Sequence, residues 1–441
     1  MQLYMLRDDH WQRFCGVIGL PELPQDGRFK TSHDRVTHAD ELDVILNAWF
    51  AKHTKKEIEE VCQENRVPVS MVANPQDLDE SAHLAARKFW VEADDKSRGT
   101  KRHPGAPFKL PASPWRHGRD APKLSEPFNS ERWKVVAAKK SLVAASPRSH
   151  SKPLAGLRII DLTAAWAGPL CARVLSYLGA EVIKVESPGR PDLGRGPVQP
   201  KGFYERYPDK EYGERPWNRN VYFNSINHDK RSLSLDLSKP EGLEIMRKLV
   251  AVSDGIVEKF TARVMDKLGL GYEALTKINP EIILLSMPGF GLSGPKRDWI
   301  AWGSTIEAGS GLANQIGYVR ERPYMTGMTF NDPFTGLAGA AAFLTALAHR
   351  DRTGEGQHID LSHQETAISL IGDVMMDYFM NGRVGGPARN RHLWLFAVST
   401  RETKLGTSRK EDFWFIVAAR SEDETEIRAG QSTGRTSSKR H

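Results

Sequence analysis

Apolar residues recur at helical spacing in the first part of the chain. Four of them lie three or four positions apart, at Leu42, Ile45, Leu46 and Trp49. A second apolar series follows Thr54, a residue type that caps helix N-termini. Residues 66–72 form a short extended run, and residues 76–89 have the pattern of a further helix. The pattern therefore predicts a compact, mainly helical piece with some β structure over residues 1–95.

From residue 154 onward, short apolar runs alternate with helical patterns. The predicted strands are 157–162, 181–186, 232–237, 255–257, 282–287 and 357–361. The predicted helices are 168–178, 240–250, 274–278, 336–349 and 364–380. Strands separated by helices are typical of a parallel sheet with right-handed crossovers. We therefore predict an α/β fold, a doubly wound Rossmann-like sheet over residues 154–395, beside the smaller first piece.

The charge of the chain is concentrated in one stretch. The 441 residues include 62 Lys and Arg against 55 Asp and Glu, a net charge of +7. Residues 96–153 hold fourteen of those basic residues and three acidic ones, so the rest of the chain carries −4. This stretch is rich in Pro and Ser and lacks the interleaved aromatic residues of nucleic-acid readers. It predicts a basic linker and no nucleic-acid partner.

Several classes of protein are disfavoured by what the sequence lacks. The longest apolar run, 336–348, is too short to span a bilayer, so no membrane partner is expected. The first residues do not have the pattern of a signal peptide, which favours a cytoplasmic protein. The three cysteines have no metal-ligand or CxxC spacing, so neither a metal site nor a disulfide is expected.

Individual motifs leave the chemistry open. Gly289, Gly291 and Gly294 form a GxGxxG pattern, but Pro295 and no helical pattern follow it, which favours a glycine-rich turn over a dinucleotide site. Asp332 precedes a proline, and on this ground alone it is more typical of a helix N-cap than of a catalytic carboxylate. The histidines, His363 among them, have no recognisable Ser or Cys partner for a hydrolase triad.

Four longer stretches together resemble the family III CoA-transferases, the CaiB/BaiF or carnitine dehydratase family. They are LAGLRIIDLTAAWAGPLCARVLSYLGAEVIKVESPGRPDLGRG (154–196), YFNSINHDKRSLSLDL (222–237), MPGFGLSGP (287–295) and NDPFTGLAGAAAFLTALAHRDRTGEGQHIDLS (331–362). The resemblance implies a CoA-transferase that moves CoA from an acyl-CoA to a carboxylic acid. It implies no permanently bound cofactor, coenzyme A and acyl-CoA as substrates, and an interlocked homodimer.

The resemblance also implies a mechanism and a set of site residues. The family's nucleophilic aspartate falls on Asp332, which would form an aspartyl anhydride and then an aspartyl-CoA thioester. This implication reverses the preference for a helix cap. The CoA-contacting positions fall on Trp166, Ala167, Ser187, Leu235, Asp236, Leu237, Ser238, Lys259, Phe260, Thr261, Lys267, Ile300, Ala301, Trp302 and Gly303.

Two departures from the family pattern affect substrate specificity. Trp166 stands where the formyl-CoA enzymes have Gln, and Ser187 where they have Arg, which counts against oxalate/formate specificity and against one phosphate contact.

The related racemases need a His in a GHD context, and Trp302-Gly303 occupies that place. Because a racemase needs both acid/base partners, CoA transfer is favoured over racemase or dehydratase activity.

The order of the parts is unusual. WQRFCGVIGLPEL (11–23) and VPVSMVANPQDLDES (67–81) resemble the C-terminal end of the family. KEDFWFIVAARSEDE (410–424) resembles the start of its small domain. We therefore predict four parts: the tail of one unit (1–95), a linker (96–153), the head of a second unit (154–395), and a truncated small-domain start with a disordered tail (396–441). A catalytically impaired CoA-binding fragment is the alternative function.

Overall fold

The computed structural model describes residues 1–5, 7–95, 99–116, 152–200, 202, 204–318, 322–387, 395–403 and 413–420. Most of these belong to one compact unit, formed by residues 1–313 together with 325–384. Residues 314–324 and those from 385 onward belong to a second unit. Residues 1–95 and most of 154–395 lie in the same unit.

The first segment, which we define as residues 1–116, contains short helices and strands. Its elements are β1 (Gln2–Leu3), α1 (Asp8–Val17), α2 (Ser32–Thr37), α3 (Ala39–Phe50), α4 (Lys55–Glu64), β2 (Val69–Ser70), α5 (Pro75–Asp79), α6 (Ala82–Ala86), β3 (Trp90–Asp95), β4 (Gly99–Pro104) and β5 (Phe108–Lys109). The Thr54 cap is present, since its hydroxyl accepts from the Glu57 amide while the Glu57 carboxylate accepts from the Thr54 amide. The helix predicted over 76–89 is divided, because Ser81 caps a new helix there.

The sheet segment, which we define as residues 152–387, follows. Its elements are β6 (Arg158–Asp161), α7 (Ala167–Tyr177), β7 (Glu181–Glu186), α8 (Pro216–Arg219), α9 (Val221–Ile226), β8 (Lys230–Ser234), α10 (Pro240–Val250), β9 (Gly255–Glu258), α11 (Val264–Lys267), α12 (Tyr272–Thr276), β10 (Ile283–Ser286), α13 (Gly303–Gly309), α14 (Asn331–Thr353), β11 (His358–Leu361), α15 (His363–Ser369) and α16 (Gly372–Asn381).

Among the described residues, seven strands form the main sheet in the order β5-β11-β10-β9-β6-β7-β8. The six strands β6 to β11 pair in parallel, and β5 adds an antiparallel edge. Counted from β6, the parallel strands run 3-2-1-4-5-6, the order of a Rossmann-like doubly wound sheet. The predicted fold class is therefore confirmed for the sheet.

Successive residues of the buried strands face opposite sides of the sheet, so each side has its own core. Ile159 and Ile283 pack with α7 and α14, whereas Ile160 and Leu284 pack with α10 and α12. This explains why these strands are continuous apolar runs in the sequence.

Part of the predicted linker is folded. β4 pairs with β3, and β5 pairs with β11 at the edge of the main sheet. Residues 117–151 of the linker lie outside the described residues.

The second unit is described by itself. Its described strands are β12 (Leu395–Thr403) and β13 (Phe413–Arg420), which pair antiparallel with a register shift between Phe396 and Ser399. The tail from residue 421, predicted to be disordered, lies outside the described residues. Among the described helices, none is long and apolar enough to cross a membrane.

Candidate active site

The strand order marks where a ligand would bind. β6 and β9 are neighbours in the sheet, and the chain leaves them toward opposite sides. In open α/β sheets, ligands bind in the crevice at the carboxyl ends of the two strands at such a switch point. The segments that leave these strand ends here begin with Leu162 and Lys259.

A cleft with a volume of about 80 Å³ opens beside this point. Its walls are Lys259, Phe260, Thr261, Pro288, Gly289, Trp299, Ile300, Ala301, Trp302, Ile306 and His363. Six of these residues were predicted from the resemblance as CoA contacts. A wider opening of about 520 Å³ lies at the amino edge of the sheet, around Gly156 and Glu181. We favour the smaller cleft, because charged surface residues line the wider one and it lies away from the switch point.

Asp332 lies in the first turn of α14, next to this cleft. Its Oδ1 atom is 3.9 Å from Lys259 Nζ and 3.5 Å from His363 Nδ1, and the residue is only 7% exposed. The helix-cap interpretation is wrong, because α14 begins at Asn331 and no side chain caps its N-terminus. The carboxylate is thus free of a structural role in capping.

A glycine makes room for the carboxylate. A Cβ atom placed on Gly303 would lie 2.6 Å from Asp332 Oδ2 and 2.8 Å from the Cβ of Thr329. Any side chain at this position would displace the carboxylate or the backbone behind it. The resemblance implied that Gly303 contacts CoA, and the structure places it against Asp332 instead of in the lining of the cleft.

The charges of the site favour an ionised carboxylate beside a neutral imidazole. Burial alone would raise the pKa of Asp332, but the charge of Lys259 and the His363 contact hold it below its ordinary value. Burial, assisted by Lys259, lowers the pKa of His363 to about 4. At neutral pH, Lys259 is therefore the nearby cation that balances Asp332.

Trp166 and Ala167 lie where α7 begins. The Trp166 ring packs edge-on against Tyr222, with 6.1 Å between the ring centroids. A Cβ atom on Gly336 would lie 2.7 Å from the Ala167 carbonyl oxygen. The start of α7 therefore packs against α14 at Gly336, one helical turn after Asp332. The structure therefore places these two predicted residues beside the helix that carries Asp332.

Other predicted contacts lie further along the same edge. Ser187 follows β7 directly, and the Leu235 amide donates to the Glu186 carbonyl at 2.7 Å. Asp236 Oδ1 accepts from the Ser238 amide at 2.9 Å, and Leu237 lies in this turn after β8. These residues and Lys267, at the end of α11, do not line the cleft described above.

The first segment also shapes the cleft. Gln63 Oε1 accepts from the Ile300 amide at 2.9 Å, and Gln63 Nε2 donates to the Ile300 carbonyl at 2.9 Å. The Tyr4 ring contacts Trp302, with 5.8 Å between centroids, and Lys296 pairs with Glu59 at 2.9 Å. The segment 296–302 is thus held by residues more than two hundred positions earlier.

Two of these residues were missed from the sequence for different reasons. His363 follows the end of β11, so the rule that ligands bind at the carboxyl ends of the strands points to it, whereas a search for a Ser or Cys partner does not. Gln63 lies on a helical pattern with no sign of its distant partner.

The chain matches one protein family and several known proteins. The model of CoA-transferase family III matches residues 1–127 and 154–426. A formyl-CoA:oxalate CoA-transferase of Afipia carboxidovorans is 36% identical over 227 residues, which cover 52% of this chain and 50% of that protein. A succinate–glutarate CoA-transferase of Agrobacterium fabrum is 35% identical over 235 residues, covering 53% and 57% respectively. The chain spans about half the length of these relatives.

A solved structure shows the same architecture. A CAIB/BAIF family protein from Brucella suis superposes with a TM-score of 0.54 at 32% identity, covering 65% of this chain and 71% of that one. The family model extends over both the first segment and the sheet segment. The chain belongs to CoA-transferase family III.

Proposed function

We propose that this chain transfers CoA from an acyl-CoA donor to a carboxylic acid, with Asp332 as the nucleophile. The observation that carries the proposal is a buried carboxylate, paired with Lys259 at 3.9 Å, beside a cleft at the switch point of the sheet. A carboxylate in this position can attack a thioester without prior deprotonation, because its pKa is already held low.

The chemistry proceeds through three covalent states of Asp332, two anhydrides and one thioester between them. The carboxylate attacks the thioester carbon, the C–S bond breaks, and CoA leaves as a thiolate from a mixed anhydride. The thiolate then attacks the aspartyl carbonyl and releases the donor acid, which leaves an aspartyl-CoA thioester. The acceptor carboxylate attacks this thioester to form a second anhydride, and the thiolate attacks the acceptor carbonyl, which restores Asp332.

The cleft supports this sequence because it can retain the thiolate between the steps. The walls at Phe260, Trp299 and Trp302 are aromatic and offer water few hydrogen-bond partners, which would slow the hydrolysis of an anhydride. The departures at Trp166 and Ser187 leave the donor and acceptor to be found by experiment. Succinyl-CoA with glutarate and formyl-CoA with oxalate are the first pairs to test, because the relatives' names contain these acids.

The test traps the covalent states. The protein is incubated with each acyl-CoA, quenched with hydroxylamine, and digested for peptide mass mapping. We expect a hydroxamate on the peptide that contains Asp332, and none in Asp332→Asn. CoA binding without any hydroxamate would instead identify a CoA-binding protein that does not transfer. Deuterium exchange at the α-carbon of the acyl-CoA, again without a hydroxamate, would indicate racemase chemistry.

A further inference from the structure

Lys259 joins the cleft to the nucleophile. It directly follows Glu258, the last residue of β9, and it is one of the residues that line the cleft. Its ammonium lies 3.9 Å from Asp332 Oδ1, and its side chain is 19% exposed. The ammonium is therefore shared between a buried carboxylate and a space that a substrate can enter.

The surroundings of Asp332 supply no second cation among the described residues that contact it. His363 approaches the same oxygen at 3.5 Å, but burial keeps its imidazole neutral at physiological pH. The charge of the carboxylate is therefore balanced by Lys259. A buried carboxylate without such a partner would tend to take up a proton.

The reaction moves this negative charge and does not remove it. When Asp332 is acylated, its carboxylate becomes neutral and an equal charge appears on the CoA sulfur. Reacting atoms in such a step start about 3 to 3.5 Å apart, so the sulfur departs close to the carboxylate. The ammonium that balanced the carboxylate then faces a thiolate within the reach of its flexible four-carbon stem.

We propose that Lys259 is a catalytic residue whose ammonium passes from the Asp332 carboxylate to the CoA thiolate and back, so that the net charge of the site stays constant. This inference rests on the proposed function and gives Lys259 a role in the chemical steps, beyond a CoA contact. Stabilising a charge that develops only in the reaction raises kcat, whereas a simple binding contact changes KM.

The test compares Lys259→Met and Lys259→Arg with the wild type. Single-turnover formation of the aspartyl-CoA thioester is followed by quenched mass spectrometry at saturating acyl-CoA. We expect about a 100-fold slower rate in Lys259→Met, the typical effect of removing one charge-stabilising donor. Lys259→Arg should recover part of the rate because it keeps the charge. Lys248→Met, which removes an exposed lysine on α10, should match the wild type.

The pH profile provides a second readout. Without Lys259, burial dominates the titration of Asp332, so the acid limb of kcat/KM should move to higher pH. A Lys259→Met variant with an unchanged single-turnover rate and only a raised KM would overturn the inference, leaving Lys259 as a binding residue. If the wild type itself forms no adduct, the proposed function fails first, and this outcome is distinguishable from the other. Circular dichroism spectra establish that each variant is folded.

Discussion

Arg87 joins the first segment to the sheet segment through a fully buried guanidinium. It caps the end of α6 and pairs with Glu365 on α15 through Nε and Nη2. Its Nη1 atom lies 2.9 Å from Asp360 Oδ2 on β11 and 3.1 Å from Ser293 Oγ. The side chains of Arg87 and Glu365 are 0% and 1% exposed. Arg87 thus pairs directly with both carboxylates, and Lys109 adds a further positive charge nearby.

Replacing Arg87 with Met tests this dependence, because Met keeps an unbranched stem and removes the charge. Breaking a buried ion pair by removing one partner costs about 3 to 5 kcal/mol, since the remaining charge is left without compensation. Here two like charges remain, Asp360 and Glu365. We therefore expect the free energy of unfolding to fall by about that amount at pH 8.

The pH dependence identifies the cause of the loss. Burial already raises the pKa of Glu365 above its ordinary value, although Arg87 opposes the shift. Without Arg87 this pKa rises further, so acid pH supplies a proton that neutralises the uncompensated charge. A carboxyl group whose pKa is higher in the folded than in the unfolded state stabilises the fold most below its unfolded-state pKa. This contribution to the free energy of unfolding is lost as the pH rises through the folded-state pKa. The cost of Arg87→Met should therefore be larger at pH 8 than at pH 5.5.

Urea unfolding at the two pH values measures these differences. Arg7→Met serves as the control, because its ion pair with Asp9 is exposed and such pairs contribute at most about 1 kcal/mol. Adding Glu365→Gln to Arg87→Met should restore part of the stability at pH 8. A loss below about 1 kcal/mol for Arg87→Met, or an equal loss at both pH values, would refute the reasoning.

Three further changes probe the site. Gly303→Ala should abolish adduct formation, because the added methyl group displaces the Asp332 carboxylate. Gly372→Ala is the control and should retain adduct formation, because a Cβ atom there meets nothing within 4 Å. Equal activity in both variants would contradict the steric argument. Burial raises the pKa of Glu258 to about 7, so ionisation of this carboxyl destabilises the wild type as the pH rises. The stability advantage of Glu258→Gln in urea unfolding should therefore grow between pH 5 and pH 8, by on the order of 3 kcal/mol. An advantage that does not change with pH would contradict this prediction. Gln63→Leu should raise KM for the acyl-CoA several-fold in steady-state assays, and an unchanged KM would show that Ile300 keeps its place unaided.

The sequence predicts the sheet well because buried parallel strands are continuous apolar runs. The runs around Ile159 and Ile283 could be recognised without any knowledge of their neighbours. The division of residues 364–380 into α15 and α16 was missed, because the break at Ser369–Gly372 leaves the apolar pattern almost unchanged. The edge strand β5 was missed because two residues are too few to show a period.

The site itself could be predicted only in part, and the reason is the distance between its components along the chain. The resemblance identified Asp332 and one wall of the cleft, because these residues lie in contiguous motifs. The pairing of Gln63 with Ile300 joins residues 237 positions apart, and a glutamine on an amphipathic helix does not indicate its partner. Such pairings depend on the tertiary fold.

The first segment therefore contributes to the cleft and not merely to the stability of the fold. Gln63 uses both of its amide atoms on the Ile300 backbone and also donates to the Val69 carbonyl at 2.9 Å. Residues 299–302 belong to no helix or strand, so their amide and carbonyl groups have no partners within a regular element. Without Gln63, the Ile300 groups would have to bind water or stay buried without a hydrogen-bond partner. Because Ile300 and its neighbours also form a wall of the cleft, the interactions that hold the two segments together help to set the shape of that wall. Substitutions in residues 59–63, far from Asp332 in the sequence, should therefore affect substrate binding before they affect the chemical step.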